Sequence, residues 1–516
     1  MNNFFSLVKV EFLSQFGLNK ILHSKKDKRL SGMSGLCIFA VLMVALIGYI
    51  GYTYADMYAL LLVATGRIEE LLPLMIAISC LLSFALSFYT SSNVLYGYKD
   101  YDLLMSMPIK QSAIVISKLV FIYLFDLVFA IIVAVASFIV YAGYTALTVG
   151  LVLRVIAMVI FAPLLPIALS LFLGAFISYV SSRFRKKNVA QIIMYIIIFI
   201  VCFGAGFLQG VEIFDPTKML GKIYFLMPWA IKSITEIPYL LLFIGVNLVS
   251  FLVVAVVCAV TYKKMNSLIT AKKRAKDFKL KNYGGKTKSR ALLSRELTRF
   301  FSVAIYTMNA LVGPILGVVG TIALAVVARN QMGGYIAELM VFLPIILAFT
   351  FMMAPPTNCS ISLEGKSYWI IKTLPISAKD LINAKLMVNN IFGVLPAFIT
   401  GLVATIIFGA PYYEVILITA LAVGIALLGG GIGLLANLLF PLLNWENPNK
   451  PVKQSLAVFI TIISAMAFAG GFFAISYFAS IKTIYQLLIF FGIVVISNLV
   501  VYGIIRYKGE KLLSKI

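Results

Sequence analysis

Two triplets in this 516-residue chain end as a phosphate-binding loop ends, Gly365-Lys366-Ser367 and Gly285-Lys286-Thr287. Such a loop cradles phosphate only when a further glycine opens it and it joins a strand to a helix. Ser360 and Leu280 stand where that glycine belongs, so neither triplet predicts a nucleotide site. The single histidine, His23, is too few for the paired-imidazole zinc motifs. Cys37, Cys80, Cys202 and Cys258 lie within apolar runs and Cys359 just follows one, with no Cys-x-x-Cys pair; they read as small core residues. Asp126 is the acid placed inside an apolar run, close enough to one end to favour a structural or water-reached carboxylate over a proton relay. The chain is expected not to be an enzyme and to bind no cofactor or metal of its own.

The elements that position these residues are membrane spans. The chain is 62% hydrophobic and 12% charged, where soluble domains average about 45–50% and about 25%. A helix crossing ~30 Å of hydrocarbon needs about 20 apolar residues. Such runs occupy Met33–Tyr52, Leu71–Thr90, Val120–Tyr141, Val155–Val180, Ile192–Leu208 and Leu240–Val260, then Val303–Ala328, Tyr335–Ala354, Leu386–Phe408, Val415–Leu439, Ser455–Phe478 and Ile484–Ile505. Barrel strands would alternate and stop after about ten residues, so the predicted fold is all-α, a polytopic membrane protein of twelve transmembrane helices. With the N-terminus inside, 32 of the 43 lysines and arginines fall in inner segments. That asymmetry puts both termini in the cytoplasm, and the net charge of +24 reports topology rather than a nucleic-acid partner. Glu11 and a mixed polar stretch precede the first long apolar run, so no cleavable signal peptide is evident.

The loops reveal a duplication. At a constant offset of 267, Lys99/Lys366, Tyr101/Tyr368, Pro108/Pro375, Ile109/Ile376, Lys118/Lys385 and Leu119/Leu386 are identical. Lys187 and Gln191 after span 4 match Lys450 and Gln454 before span 11, and the segments around Glu11 and Glu296 ahead of spans 1 and 7 also resemble each other. The expected organisation is a first six-span half with an N-terminal amphipathic helix (1–262), a basic cytoplasmic linker (263–290) and a second six-span half with its own amphipathic lead-in helix (291–516). The linker carries eleven Lys/Arg against one acid, Asp277.

Because a residue before proline is pushed out of the helical region, Tyr101–Met107 and Tyr368–Leu374 are predicted as short helices stopped by Pro108 and Pro375. Ser377 and Asp380 have the spacing of a capping box that restarts the chain into span 9, whereas the first half offers Lys110-Gln111-Ser112. An interfacial lipid anchor would explain one such helix; its retention in both halves favours docking to a partner. Five glycines in span 10, Gly424, Gly429, Gly430, Gly431 and Gly433, read as close helix packing before they read as a hinge. Pro163, Pro166, Pro344 and Pro396 read as kinks.

The order of lead-in helix, two spans, a Pro-Ile loop with a downstream Lys-Leu, then four spans resembles the permeases of type V ATP-binding-cassette exporters, in the bacterial form with two fused halves. Leu363-Glu364-Gly365-Lys366 through Ser377, Asn444-Trp445-Glu446-Asn447-Pro448 and Val452-Lys453-Gln454 carry most of that similarity. The resemblance implies a multi-pass protein of the bacterial plasma membrane that moves a hydrophobic or amphipathic substrate outward. It also implies a cytoplasmic ATPase partner in two copies, which binds ATP and Mg in this chain's stead. The coupling helices would be Tyr101, Leu103, Leu104, Met107 and Pro108, and Tyr368, Ile370, Ile371, Leu374 and Pro375, with Lys187, Gln191, Lys450 and Gln454 in secondary inner loops. One departure is the outer element between the fifth and sixth spans, which is long in the first half (210–238, with Trp229) and about five residues in the second. A gradient-driven secondary transporter is the alternative, since parallel six-plus-six repeats also occur there.

Overall fold

The structure is a computed structural model that describes residues 2–15, 26–95, 101–184, 187–208, 217, 221, 224–270, 287–322, 336–445, 447–478 and 482–516. Among these residues the regular structure is helical throughout, with no strand. The chain divides into two compact units, Met1–Lys187 with Val211–Lys276, and Asn188–Gly210 with Asp277–Ile516.

The first unit begins with α1 (Asn2–Gln15), α2 (Lys26–Ala64), α3 (Leu71–Leu95) and the short α4 (Tyr101–Ser106). It continues through α5 (Gln111–Ala142), α6 (Val149–Phe161) and α7 (Leu164–Ser182). The fourth predicted span is thus two helices parted at Ala162-Pro163, where proline removes a backbone donor. The fifth, α8 (Lys187–Leu208), groups with the second unit, so the compact units depart from the repeat boundaries at one helix. After it, α9 (Met227–Lys232) buries Met227 and Ala230, and α10 (Ile237–Thr270) completes the unit. Two apolar clusters hold this unit, one around Leu72, Met158, Leu226 and Phe243, the other around Val94, Ile114, Ile167 and Tyr262.

The second unit starts at α11 (Lys288–Ser302), which bends by 95° into α12 (Ala304–Ile315) and its continuation to Gly320. Then come α13 (Ile336–Met352), two 3₁₀ turns (Pro356–Asn358 and Ser362–Ser367), the short α14 (Tyr368–Thr373), α15 (Ala378–Asn389) and α16 (Leu395–Phe408). The last four are α17 (Tyr412–Leu439), α18 (Asn449–Lys453), α19 (Leu456–Phe478) and α20 (Thr483–Lys515). Stretches of π-helix at Leu316–Gly320 and Asn390–Val394 follow Pro314 and precede Pro396. Among the described residues nine helical stretches are long and apolar enough to cross a membrane, or ten if the bent α11–α12 pair is one span.

The glycines of span 10 are packing positions. A Cβ on Gly429 would lie 2.8 Å from the Met352 backbone and one on Gly433 2.8 Å from the Thr357 hydroxyl, while one on Gly430 would run into the Asn389 amide. The basic linker is shorter than its charge suggests. Residues 263–270 continue α10, where the buried Asn266 amide donates to Tyr262 O at 3.0 Å and Leu95 O at 3.3 Å; the Gly284-Gly285 pair lies outside the described residues. Cys80, Cys258 and Cys359 are buried free thiols; the side chains of Cys37 and Cys202 are outside the described set.

Candidate functional site

The two loop helices form where the sequence places them. Tyr101–Ser106 and Tyr368–Thr373 are each six residues long, and Leu374 is extended ahead of Pro375. The restart in the second unit has the predicted capping box: Ser377 Oγ accepts from Asp380 N at 3.1 Å and Asp380 Oδ2 accepts from Ser377 N at 3.3 Å. In the first unit Lys110 occupies the N-cap with no side-chain cap. Lys288 and the Ser377 hydroxyl and backbone hold the Asp380 carboxyl low, at about 2.

Each helix is tied at the same repeat position to the last helix of its unit. The Tyr101 ring packs against Tyr262 on α10, with centroids 5.8 Å apart, and the Tyr368 hydroxyl donates to Leu513 O on α20 at 3.3 Å. Leu103, Met107, Pro108, Ile370, Leu374 and Pro375 are exposed, and Tyr101 and Leu104 half-buried. Tyr368 and Ile371, by contrast, are each 4% exposed, so within the predicted docking set they fasten α14 to its unit and cannot be the surface a partner meets. A six-residue helix has too few turns for its inward face to be told from its outward one in sequence. Trp369, outside the predicted docking set, is the outward residue, 65% exposed.

Behind α14 lies a buried ionic cluster that sequence reasoning missed. Lys385, the eighth residue of α15, is 1% exposed. Its Nζ lies 3.0 Å from Glu296 Oε2, 3.2 Å from Glu364 Oε1 and 3.1 Å from Ser360 O. Arg295 on α11 reaches Glu296 Oε1 at 2.7 Å and Glu364 Oε2 at 2.8 Å. Arg299 pairs with Glu364 and donates to Leu363 O at 2.7 Å. Burial raises the Glu364 carboxyl pKa, but Lys385, Arg299 and Arg295 outweigh it and bring it to about 2. A buried charge is tolerable only when paired and hydrogen-bonded on all sides, and Glu364 meets that demand.

The turn carrying Glu364 is built to hold it there. Gly365 has φ +57°, a left-handed backbone that disfavours any side chain, and a Cβ there would lie 3.1 Å from the Trp445 ring. Trp445 Nε1 donates to Ser362 O at 2.6 Å, and Asn437 Oδ1 accepts from Ile361 N and Ser362 N at 2.8 and 3.1 Å. An open depression of about 670 Å³ lies over the cluster, lined by Arg295, Arg299, Thr298 and Trp445 among others. A possible signal for the cluster was the Leu-Glu-Gly-Lys turn together with the arginines flanking Glu296, but the partners are 69 and 89 residues apart.

The four residues predicted in secondary loops are all among those described. Gln191 donates to the Tyr195 hydroxyl at 3.4 Å, its neighbour Asn188 donates to Ser302 O at 2.6 Å, Lys187 is exposed at the start of α8, and Lys450 lies in α18 with Gln454 as its C-cap. Asp126, buried on α5, accepts from the Ser87 hydroxyl. Arg154 donates to the carbonyls of Thr235, at 2.8 Å, and Ile234, so it ties down the turn between α9 and α10. Among the described residues no group of three or more His, Cys, Asp or Glu could hold a metal.

The profile of a family described as membrane proteins with twelve transmembrane spans matches residues 32–508. The chain belongs to this twelve-span membrane protein family. No curated protein matches it. Nine or ten of the twelve are covered by the apolar helical stretches above. Of the other predicted spans, Leu71–Thr90 and Ile192–Leu208 lie in α3 and α8, and Val303–Ala328 runs partly through residues outside the description.

Proposed function

We propose that this twelve-span protein is the permease of an ATP-driven exporter of the bacterial plasma membrane, worked by two copies of a separate cytoplasmic ATPase that bind ATP and Mg. The observation that carries the reading is the pair of loop helices. Each is stopped by proline and tied by a tyrosine to the last helix of its unit, and each leaves apolar side chains exposed at matching positions: Leu103/Ile370, Met107/Leu374 and Pro108/Pro375. An exposed apolar surface on a firmly held element is what a partner needs in order to push or pull a span. Closure of the ATPase around ATP would pull on the loops and switch the substrate path from inward to outward access. The scarcity of charge inside the spans supports a hydrophobic or amphipathic substrate: a peptide, lipid or drug.

The test is co-purification of an ATP-binding-cassette subunit with the chain, and its loss together with export when Leu103, Met107, Ile370 and Leu374 are all changed to glutamate. ATP-driven export by a chain lacking both loop helices would refute the proposal. A gradient-driven carrier is the second reading, and the buried Asp126–Ser87 contact is what favours it. Under the first reading, collapsing the proton gradient at constant ATP leaves transport intact and Asp126→Asn is active; under the second, both abolish it.

A further inference from the structure

The two loop helices differ in ways that specify their partner. At the matching positions Leu103/Ile370 and Met107/Leu374 both loops expose apolar side chains, but the residue beside them is Asp102 in the first and Trp369 in the second. Around Trp369 the chain exposes Lys366, Lys372 and Lys379; among its described residues the first loop exposes Asp102 and Lys110, and Lys99, the match of Lys366, lies outside them. The second helix is also the better supported. Tyr368 and Ile371 are buried beneath it, and the turn before it is pinned by the Glu364 cluster and by Trp445. An aromatic side chain on a pre-ordered support loses little freedom on binding, and tryptophan is the residue most enriched among interface hot spots.

We infer that the second loop is the dominant docking element, with Trp369 as its anchor, and that its partner is a soluble protein presenting an apolar socket with an acidic rim. This rests on the reading of the loops as the seat of the ATPase. If the two ATPase copies are identical, one socket design accepts both apolar pairs, and only the copy on the second loop receives a tryptophan. A lipid surface is the other place where a tryptophan among lysines settles, and the position of α14 speaks against it. The carbonyl that receives the Tyr368 hydroxyl belongs to Leu513, beyond the exposed Arg506, Lys508, Glu510 and Lys511. Leu513 follows Ile505 by eight residues, about 12 Å along a helix rising ~1.5 Å per residue, in a stretch that belongs in water.

The test uses the full chain in nanodiscs and, as probe, the ATP-binding-cassette subunit that co-purifies with it, purified again on its own. Trp369→Ala is expected to weaken binding by about tenfold or more, as truncation of an anchoring tryptophan does, and Asp102→Ala by less than about threefold. Both variants should keep the wild-type Tm because both side chains are exposed. Reversing Lys366, Lys372 and Lys379 to glutamate should slow association and remove its salt dependence. Equal losses for Trp369→Ala and Asp102→Ala at unchanged Tm would overturn the inference while leaving the docking reading intact. No binding of the subunit by wild type would overturn both. Lipid insertion is read separately: strong quenching by brominated lipid of an emission component that is absent from Trp369→Phe would place Trp369 in the bilayer and refute the socket.

Discussion

In both halves of the sequence a lead-in helix carrying a buried glutamate precedes the spans, and a buried lysine is the eighth residue of the helix that follows the loop: Glu11 and Lys118 in the first, Glu296 and Lys385 in the second. Around that shared pair the two regions diverge. Lys385 is held by two carboxylates and a carbonyl, and two arginines close over Glu364. The first-half positions that match Glu364, Arg295 and Arg299 are Gly97, Val10 and Ser14. There Lys118 donates to Val94 O at 2.7 Å, and α1 meets α5 through an edge-to-face contact of Phe12 with Phe121, centroids 4.9 Å apart. All three added charges of the second region are absent together from the first, as expected where the buried Glu364 needs its arginine partners. The lesson is that the second region adds ions that fix the turn that presents α14.

The comparison can be broken most severely at Glu364. Glu364→Ala leaves three cations facing one carboxylate, and the loss expected on breaking a buried network is about 3–5 kcal/mol, read as a large fall in Tm of the detergent-purified chain or as failure to accumulate. Lys385→Met should cost less, about 1–3 kcal/mol, because Arg295 and Arg299 still cover both carboxylates. Gly365→Ala, forced into a positive-φ backbone against Trp445, should cost about 1–3 kcal/mol. Ser377→Ala should lose about 1 kcal/mol with the capping box, and Lys110→Ala, where no side-chain cap exists, should leave Tm unchanged. The network also predicts an effect of pH. The Glu364 carboxyl is depressed from 4.5 to about 2, so the native state binds its proton less tightly than the unfolded chain does. Its contribution is therefore full above about pH 4.5 and lost as pH falls through about 2, and the Tm gap between wild type and Glu364→Gln should narrow across that window.

The helical class, the positions of both loop helices, the capping box and the role of the span-10 glycines were legible because each rests on local chemistry. A run of apolar residues, a proline or a Ser-x-x-Asp spacing acts within a few residues of itself. What was not legible is tertiary. Arg295, Arg299 and Lys385 look in sequence like ordinary charges at span edges; only the fold brings Glu364 and Glu296 to them across 69 and 89 residues. The inward turn of Tyr368 and Ile371 escaped for the same reason, since which face of a single helical turn is covered depends on the end of α20, over 130 residues away. The grouping of α8 with the second unit likewise follows from packing that no periodicity announces.

The central claim is that both loops seat copies of one ATPase. It is tested most directly by placing a photo-crosslinking amino acid at Leu103 and, in a second strain, at Ile370 of the full chain in cells, and identifying the adducts. The account predicts the same ATP-binding protein from both positions, with adducts lost when ATP-binding-cassette subunits are absent. Adducts to lipid alone, or to proteins that bind no nucleotide, would contradict it.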